Sequence, residues 1–404
     1  MPQTIIPIVP APLPNTAQTV RLTELPPLSL YIHVPWCIQK CPYCDFNSHA
    51  LASNALPESA YIAALIADLE SALPDIWGRP IHTIFFGGGT PSLLSPCAID
   101  QLMSALRARL PINPFAEITL EANPGTVDAQ HFKGFQAAGV NRLSLGIQSF
   151  NDEHLKALGR IHTAQQAHAA IESAMQTFER VNLDLMYALP QQTLTHMQAD
   201  LDQALSYAPS HLSCYHLTLE PNTAFANNSP ILPDEDSAAD MQILLEQRLE
   251  QAGYAHYETS AFAKPGQMSR HNLNYWTFGD YLGIGAGAHS KISFPDKIVR
   301  SMRYKHPNAY LQNAAKGQFI QDSHLVETQA RPFEFMMNAL RLTQGVPSTL
   351  FAQRTGLPLN TLTPQLKEAQ QKGLLSLKEG QLAPTKLGAR FLNDLLTLFL
   401  DTTE

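Results

Sequence analysis

The chain has 404 residues, a formal net charge of −8 and an apolar content of 45%, enough for a folded protein of two domains; no run of 18 or more apolar residues offers a membrane span. The acidic balance, without clustered Lys and Arg, argues against a nucleic-acid partner. Five cysteines, three of them clustered, do not make a disulfide framework in so long a chain and suit a reducing cytoplasm.

Met1 to Pro27 carry seven prolines, no basic n-region and no continuous apolar core, so residues 1–27 read as an extended, disordered leader rather than a secretory signal. From Leu28 short apolar runs alternate with longer amphipathic ones, the signature of repeated βα units and a mostly parallel sheet. Strands are predicted at Ser29–Val34, His82–Phe86, Glu117–Leu120, Arg142–Gln148, Val181–Met186 and His211–Leu219. Helices are predicted at Glu58–Leu73, Pro96–Leu110, Val127–Ala138, Thr163–Phe178 and Leu194–Tyr207, with a further one at Asp236–Gly253. Six such repeats predict an α/β fold, an incomplete (β/α)6 barrel, with a full (β/α)8 barrel as the competitor; either places function at the C-terminal ends of the strands. A Gly-rich turn, Gly283 to His289, precedes a domain boundary, giving residues 28–300 for the barrel and its extension and 301–404 for a second domain. That tail reads as helices at Pro332–Leu342, Pro347–Thr355 and Thr363–Lys372, a hairpin at Leu374–Leu382 around Glu379-Gly380, and a last helix at Pro384–Leu400. The pattern is mainly helical and winged-helix-like. Without a dense basic face it reads as a lid on the barrel and not as a DNA-binding module.

The first predicted strand runs into Cys37-Ile-Gln-Lys-Cys41-Pro-Tyr-Cys44. Three thiolates on one loop can hold three corners of a cubane [4Fe-4S] cluster and leave the fourth iron open. Structural zinc, with His33 or His49 as a fourth ligand, is the alternative. Gly87-Gly-Gly-Thr90 ends the second strand, where glycines let backbone approach a ligand closely. Glu121, Gln148 and Asp184 fall at or near the ends of later strands. A charge inside an apolar strand is costly unless it is paired or bound to a ligand, and for Asp184 a structural ion pair with Arg160 is the competing explanation.

On these motifs the region Tyr31 to Tyr187 resembles the coproporphyrinogen dehydrogenase-like branch of the radical-SAM family, and the resemblance continues to the C-terminus. It implies a [4Fe-4S] cluster on Cys37, Cys41 and Cys44 with S-adenosylmethionine chelated by the open iron. It also implies that Tyr31 and Tyr43 lie against cofactor or cluster, that Gly88, Gly89, Thr90 and Glu121 hold the methionine end, and that Gln148, Arg160 and Asp184 contact ribose or a second cofactor site. The branch contains an oxygen-independent coproporphyrinogen III oxidase, which decarboxylates two propionates, and a haem chaperone, which handles finished haem. The oxidase carries a fourth cysteine two residues after the third, where this chain has Phe46. His271-Asn-Leu-Asn-Tyr275-Trp276 is similar to a haem-associated element of the chaperone: a histidine suits an axial ligand and aromatics can stack on a porphyrin. The competing explanation makes Tyr275 and Trp276 core residues and His271 a hydrogen-bonded neighbour. The resemblance thus implies a haem chaperone delivering haem to respiratory acceptor proteins, ahead of the oxidase and of a radical-SAM enzyme with an unrelated substrate. Peripheral membrane contact and a cluster-dependent homodimer stay open.

Overall fold

Strands buried along nearly their whole length need cover on both faces, which parallel βα units provide. The computed structural model describes residues 20–51 and 56–400 and places six such strands side by side: Leu28–Val34 (β1), Ile81–Gly88 (β2), Ile112–Ala122 (β3), Arg142–Gln148 (β4), Arg180–Tyr187 (β5) and His211–His216 (β6). Each pairs in parallel with the next. Between them run Glu58–Ile76 (α1), Pro96–Arg109 (α2), Ala129–Ala138 (α3), Ala164–Thr177 (α4) and Leu194–Ser206 (α5). Local chemistry starts them: Ser95 and Asp128 cap α2 and α3, and Thr163 and Thr193 form capping boxes on α4 and α5.

After Glu235–Gln251 (α6), six more strands extend the sheet to twelve: Ala255–Glu258 (β7), Ala261–Ala263 (β8), Asp280–Ile284 (β9), His289–Ser293 (β10), Ile298–Arg303 (β11) and Ile320–Leu325 (β12). The order is β12-β11-β10-β9-β1-β2-β3-β4-β5-β6-β8-β7. The row has two ends, so the barrel is incomplete. β9 pairs in parallel with β1 as a seventh parallel strand, where the sequence shows a glycine-rich turn. The sheet passes through the boundary expected at 300 and ends at Leu325, because β11 pairs with β10 on one side and β12 on the other.

Arg331–Ala339, Thr349–Thr355 and Thr363–Gln371 then pack with a three-stranded sheet of Val346–Pro347, Leu375–Lys378 and Gln381–Pro384. Glu379 and Gly380 both have positive φ, as a tight two-residue hairpin turn requires. The last helix starts later than predicted, because Pro384 pairs with Leu375, and it breaks at Phe391 into Lys386–Arg390 and Leu392–Thr397. Phe335, Phe351, Leu382 and Leu395 of this region share one core with Tyr257, Phe278 and Ile298 of the larger body. Of the predicted leader, residues 1–19 lie outside the described residues. From Val20 the chain is a packed strap: Leu22 is buried and donates its N–H to the Pro295 carbonyl at 2.8 Å, and the Pro27 carbonyl accepts from Asp280 N–H at 2.9 Å.

Candidate functional site

β1 delivers the chain into the cysteine loop. A two-residue parallel pairing of Trp36–Cys37 with His49–Ala50 clips the base of that loop, and all three cysteines, Cys37 in the pairing and Cys41 and Cys44 beyond it, are half-buried. The Thr90 hydroxyl donates to Cys37 Sγ at 3.4 Å, Arg160 Nη1 donates to Cys41 Sγ at 3.7 Å, and Cys44 Sγ lies 3.5 Å from Ser48 Oγ. Burial pushes the Cys37 thiol pKa up while the Thr90 hydrogen bond pulls it down. Donors on the sulfurs, one of them a guanidinium, favour thiolates, so this donor set fits an iron-sulfur cluster. His33 is no fourth zinc ligand. Its Nε2–H donates to the Asn47 carbonyl at 2.9 Å, which leaves Nδ1 to accept from the Tyr31 hydroxyl at 3.1 Å. Burial holds its pKa down to about 4, so the ring is neutral.

The glycine turn is braced against the start of the loop: Gly89 N–H donates to the Val34 carbonyl at 2.7 Å and Thr90 N–H to the Trp36 carbonyl at 2.8 Å. A side chain has no room here. A Cβ on Gly88, whose φ is +113°, would meet the His33 ring at 2.6 Å, and one on Gly89 would meet the Trp36 carbonyl oxygen at 2.5 Å.

Glu121, near the end of β3, accepts the Gly88 N–H at 3.2 Å. Burial, then the charge of Asp184, pushes its pKa up to about 8, so it is largely protonated at neutral pH with nothing bound. Two residues on, Asn123 joins both halves of the site, donating to Thr90 Oγ1 at 3.0 Å and accepting from Arg160 Nη2 at 2.6 Å. Arg160 also donates to the Gly146 carbonyl at 2.8 Å. Burial opposes its charge, but the neighbouring Tyr43 and Cys41 more than offset this and raise its pKa. The Tyr43 hydroxyl, shifted up by burial, sits beside that guanidinium and Cys41. The expected ion pair of Arg160 with Asp184 is not formed: Asp184 accepts instead from Asn182 Nδ2 at 2.8 Å and the Ser144 hydroxyl at 3.1 Å. Gln148 ends β4 at a bulge with φ +68°, a conformation that re-aims its side chain.

Tyr31, His33, Gly88 and Glu121 line a cavity of about 460 Å³ together with Tyr275, Trp276, Tyr281 and His289. His271, four residues before Tyr275, does not line it. Helix Arg270–Trp276 (α7), capped by Ser269, buries His271 with Nδ1 2.7 Å from Thr83 Oγ1 and Nε2 2.9 Å from the Tyr275 hydroxyl. Thr83 donates onward to Ser29, so His271 Nδ1 carries the proton and Nε2 accepts from Tyr275. Burial holds the His271 pKa down to about 3. The two explanations of the motif therefore divide: His271 is a hydrogen-bonded core residue, while Tyr275 and Trp276 face the cavity.

Over 381 residues the chain is 50% identical to a "Heme chaperone HemW" of Escherichia coli, an alignment spanning 94% of this chain and 100% of that one. The chain belongs to the HemW family. A HemW of Bacillus subtilis is 37% identical over 92% of this chain and 99% of its own length. Within this HemW-family chain, residues 31–204 match the Radical SAM superfamily and residues 326–391 the HemN C-terminal domain, the latter beginning where β12 ends. Among solved structures, coproporphyrinogen III oxidase (HemN) from Escherichia coli superposes with a TM-score of 0.80, covering 96% of this chain and 93% of that one; at 24% identity the likeness is one of fold.

Two positioning residues escaped the sequence. Asn123 lay within the quoted Glu-Ala-Asn-Pro motif, but its partners Thr90 and Arg160 are more than thirty residues away on either side. Asn47 donates to the carbonyls of Ala286 and Lys305 at 3.1 and 2.9 Å, tying the cysteine loop to the turn before β10 and to the segment after β11. Its only local signal was its place three residues after Cys44.

Proposed function

We propose that the protein is a cytoplasmic haem chaperone that binds haem and hands it to acceptor proteins of the respiratory chain, and that it carries a [4Fe-4S] cluster and binds S-adenosylmethionine. What carries this reading is likeness along nearly the whole chain to proteins named haem chaperones. Phe46, exposed at the position of the oxidase's fourth cysteine, supports it. Cys37, Cys41 and Cys44 would hold the cluster, with Arg160 balancing the thiolate charge through its contact with Cys41. Gly88, Gly89, Thr90 and Glu121 would hold the methionine end of S-adenosylmethionine, Tyr31 and Tyr43 would lie against cofactor or cluster, and Gln148 and Asp184 would meet its ribose or a second cofactor site. Bound there, the pair supplies one-electron chemistry that the chain's own side chains lack. Tyr275 and Trp276 would face haem.

The competing reading is oxygen-independent coproporphyrinogen III oxidase. Anaerobic incubation of cluster-loaded protein with S-adenosylmethionine, a reductant and coproporphyrinogen III separates the two. The chaperone reading expects no protoporphyrinogen from protein whose iron content is verified, together with saturable haem binding. Product in stoichiometric or greater yield would establish the oxidase instead.

A further inference from the structure

Haem held by a protein needs a flat apolar slot and, on iron, a lone pair not already engaged. The cavity offers about 460 Å³ with several aromatic side chains in its lining. Tyr275, Trp276 and Tyr281 line it, Tyr275 standing edge-on to Tyr281 with ring centres 4.7 Å apart, as does the 63%-exposed Phe46. Of its charged lining, Lys291 is ion-paired with Asp280 and Arg300 with Glu334, while the one carboxyl, Glu121, is largely protonated with nothing bound.

Three histidines compete for the iron. His271 is buried outside the cavity with its lone pair accepting from Tyr275. His33 lines the cavity, but both its nitrogens are engaged, by Tyr31 and by the Asn47 carbonyl. His289 lines the cavity at the start of β10, is exposed, and has no hydrogen-bond partner on either nitrogen among the described residues. Burial of its inner side and the positive charges of Lys305 and Arg300 lower its pKa, so it presents a neutral imidazole. The HNLNYW motif and the glycine-rich turn then divide the work, the first supplying aromatic surface and the second the ligand.

Resting on the haem-chaperone reading, we infer that haem occupies this cavity when S-adenosylmethionine is absent, with His289 as its axial iron ligand and Tyr275, Trp276 and Tyr281 against the porphyrin. The test is a Soret-band titration of the full-length, cluster-loaded protein with haem. Wild type should saturate. His289→Ala should bind at least about tenfold more weakly with a shifted Soret band, and added imidazole should restore the wild-type band by occupying the vacated position. His324→Ala, on the outer edge strand, should titrate as wild type does. Circular dichroism and iron content unchanged in His289→Ala show that the fold and cluster survive. If wild type itself fails to bind haem, the chaperone reading falls and this inference with it. If wild type binds and His289→Ala matches it in affinity and spectrum, only the ligand assignment is overturned. Weakened binding that imidazole does not restore overturns ligation as well, and leaves His289 a positioning residue.

Discussion

Glu121 shows at the scale of one residue how burial sets the hold on a proton. A carboxyl that hydrogen-bonds one backbone amide and is otherwise buried beside Asp184 keeps its proton until a cation arrives, and in the proposed site the ammonium of S-adenosylmethionine would be that cation. The sign of its pH dependence follows. Its folded pKa of about 8 lies above the ordinary 4.5, so between those values the unfolded chain has released a proton that the folded protein keeps. Its contribution to stability is present below pH 4.5 and is lost as pH rises to 8. Glu121→Gln should therefore raise the melting temperature of the apo protein at pH 8 by a few degrees while weakening S-adenosylmethionine about tenfold or more, the loss of one charge-assisted hydrogen bond. Scanning fluorimetry and calorimetric titration read the two effects, and unchanged cofactor affinity would remove Glu121 from the site. Cysteines and glycines were legible at this scale because their chemistry is local. Asn123 and Asn47 were not, because an asparagine acquires its role from partners that only folding supplies.

At the scale of the element, β9 is the instructive case. Asp280 and Gly283 interrupt its short apolar run, so the segment Asp280–Ile284 carries no strand periodicity in sequence. In the fold its charge is buried because Lys291 Nζ lies 2.9 Å from Asp280 Oδ1 and Arg79 Nη2 lies 2.8 Å from Oδ2, with the Ser293 hydroxyl adding a hydrogen bond at 2.8 Å. The cluster binds β9 to β10 and to the segment after α1. Removing the carboxylate leaves Lys291 buried without its anion. Asp280→Ala should cost about 3 to 5 kcal/mol in urea unfolding, and a loss under about 1 kcal/mol, the range of a surface pair, would show that the cluster does not hold β9. The better-read elements differ from their predicted bounds at their ends. β6 ends at His216, earlier than its apolar pattern, and the final predicted helix yields its first residue to a strand.

On the whole-molecule scale the C-terminal region is part of the cavity and of the core. Arg341 stacks over Trp276, with its guanidinium carbon 4.3 Å from the ring centroid, and Asn338 lines the cavity. Tyr257, Phe278 and Ile298 of the larger body are buried with Phe335, Phe351 and Leu382. A chain ended at Leu325 would expose that apolar surface. It should self-associate in size-exclusion chromatography and lose haem binding; a monodisperse, cooperatively unfolding product would show the two regions to be independent. The second core also explains why a boundary placed at 300 falls inside the sheet. Composition changes there, but β11 and β12 complete their backbone hydrogen bonds within the same sheet.

The sequence by itself determined the repeated βα architecture, the three-cysteine loop and the glycine turn beside it. Each is written in neighbouring residues, through alternation, spacing or a backbone that only glycine can adopt. Tertiary structure alone decided which polar residues meet. It gave Arg160 to Cys41 and Asn123 rather than Asp184, withdrew His271 into the core, and brought His289 to the cavity wall that Tyr275 and Trp276 share. Those pairings join segments far apart in the chain, and their choice follows from burial and hydrogen-bond satisfaction, which no local pattern records.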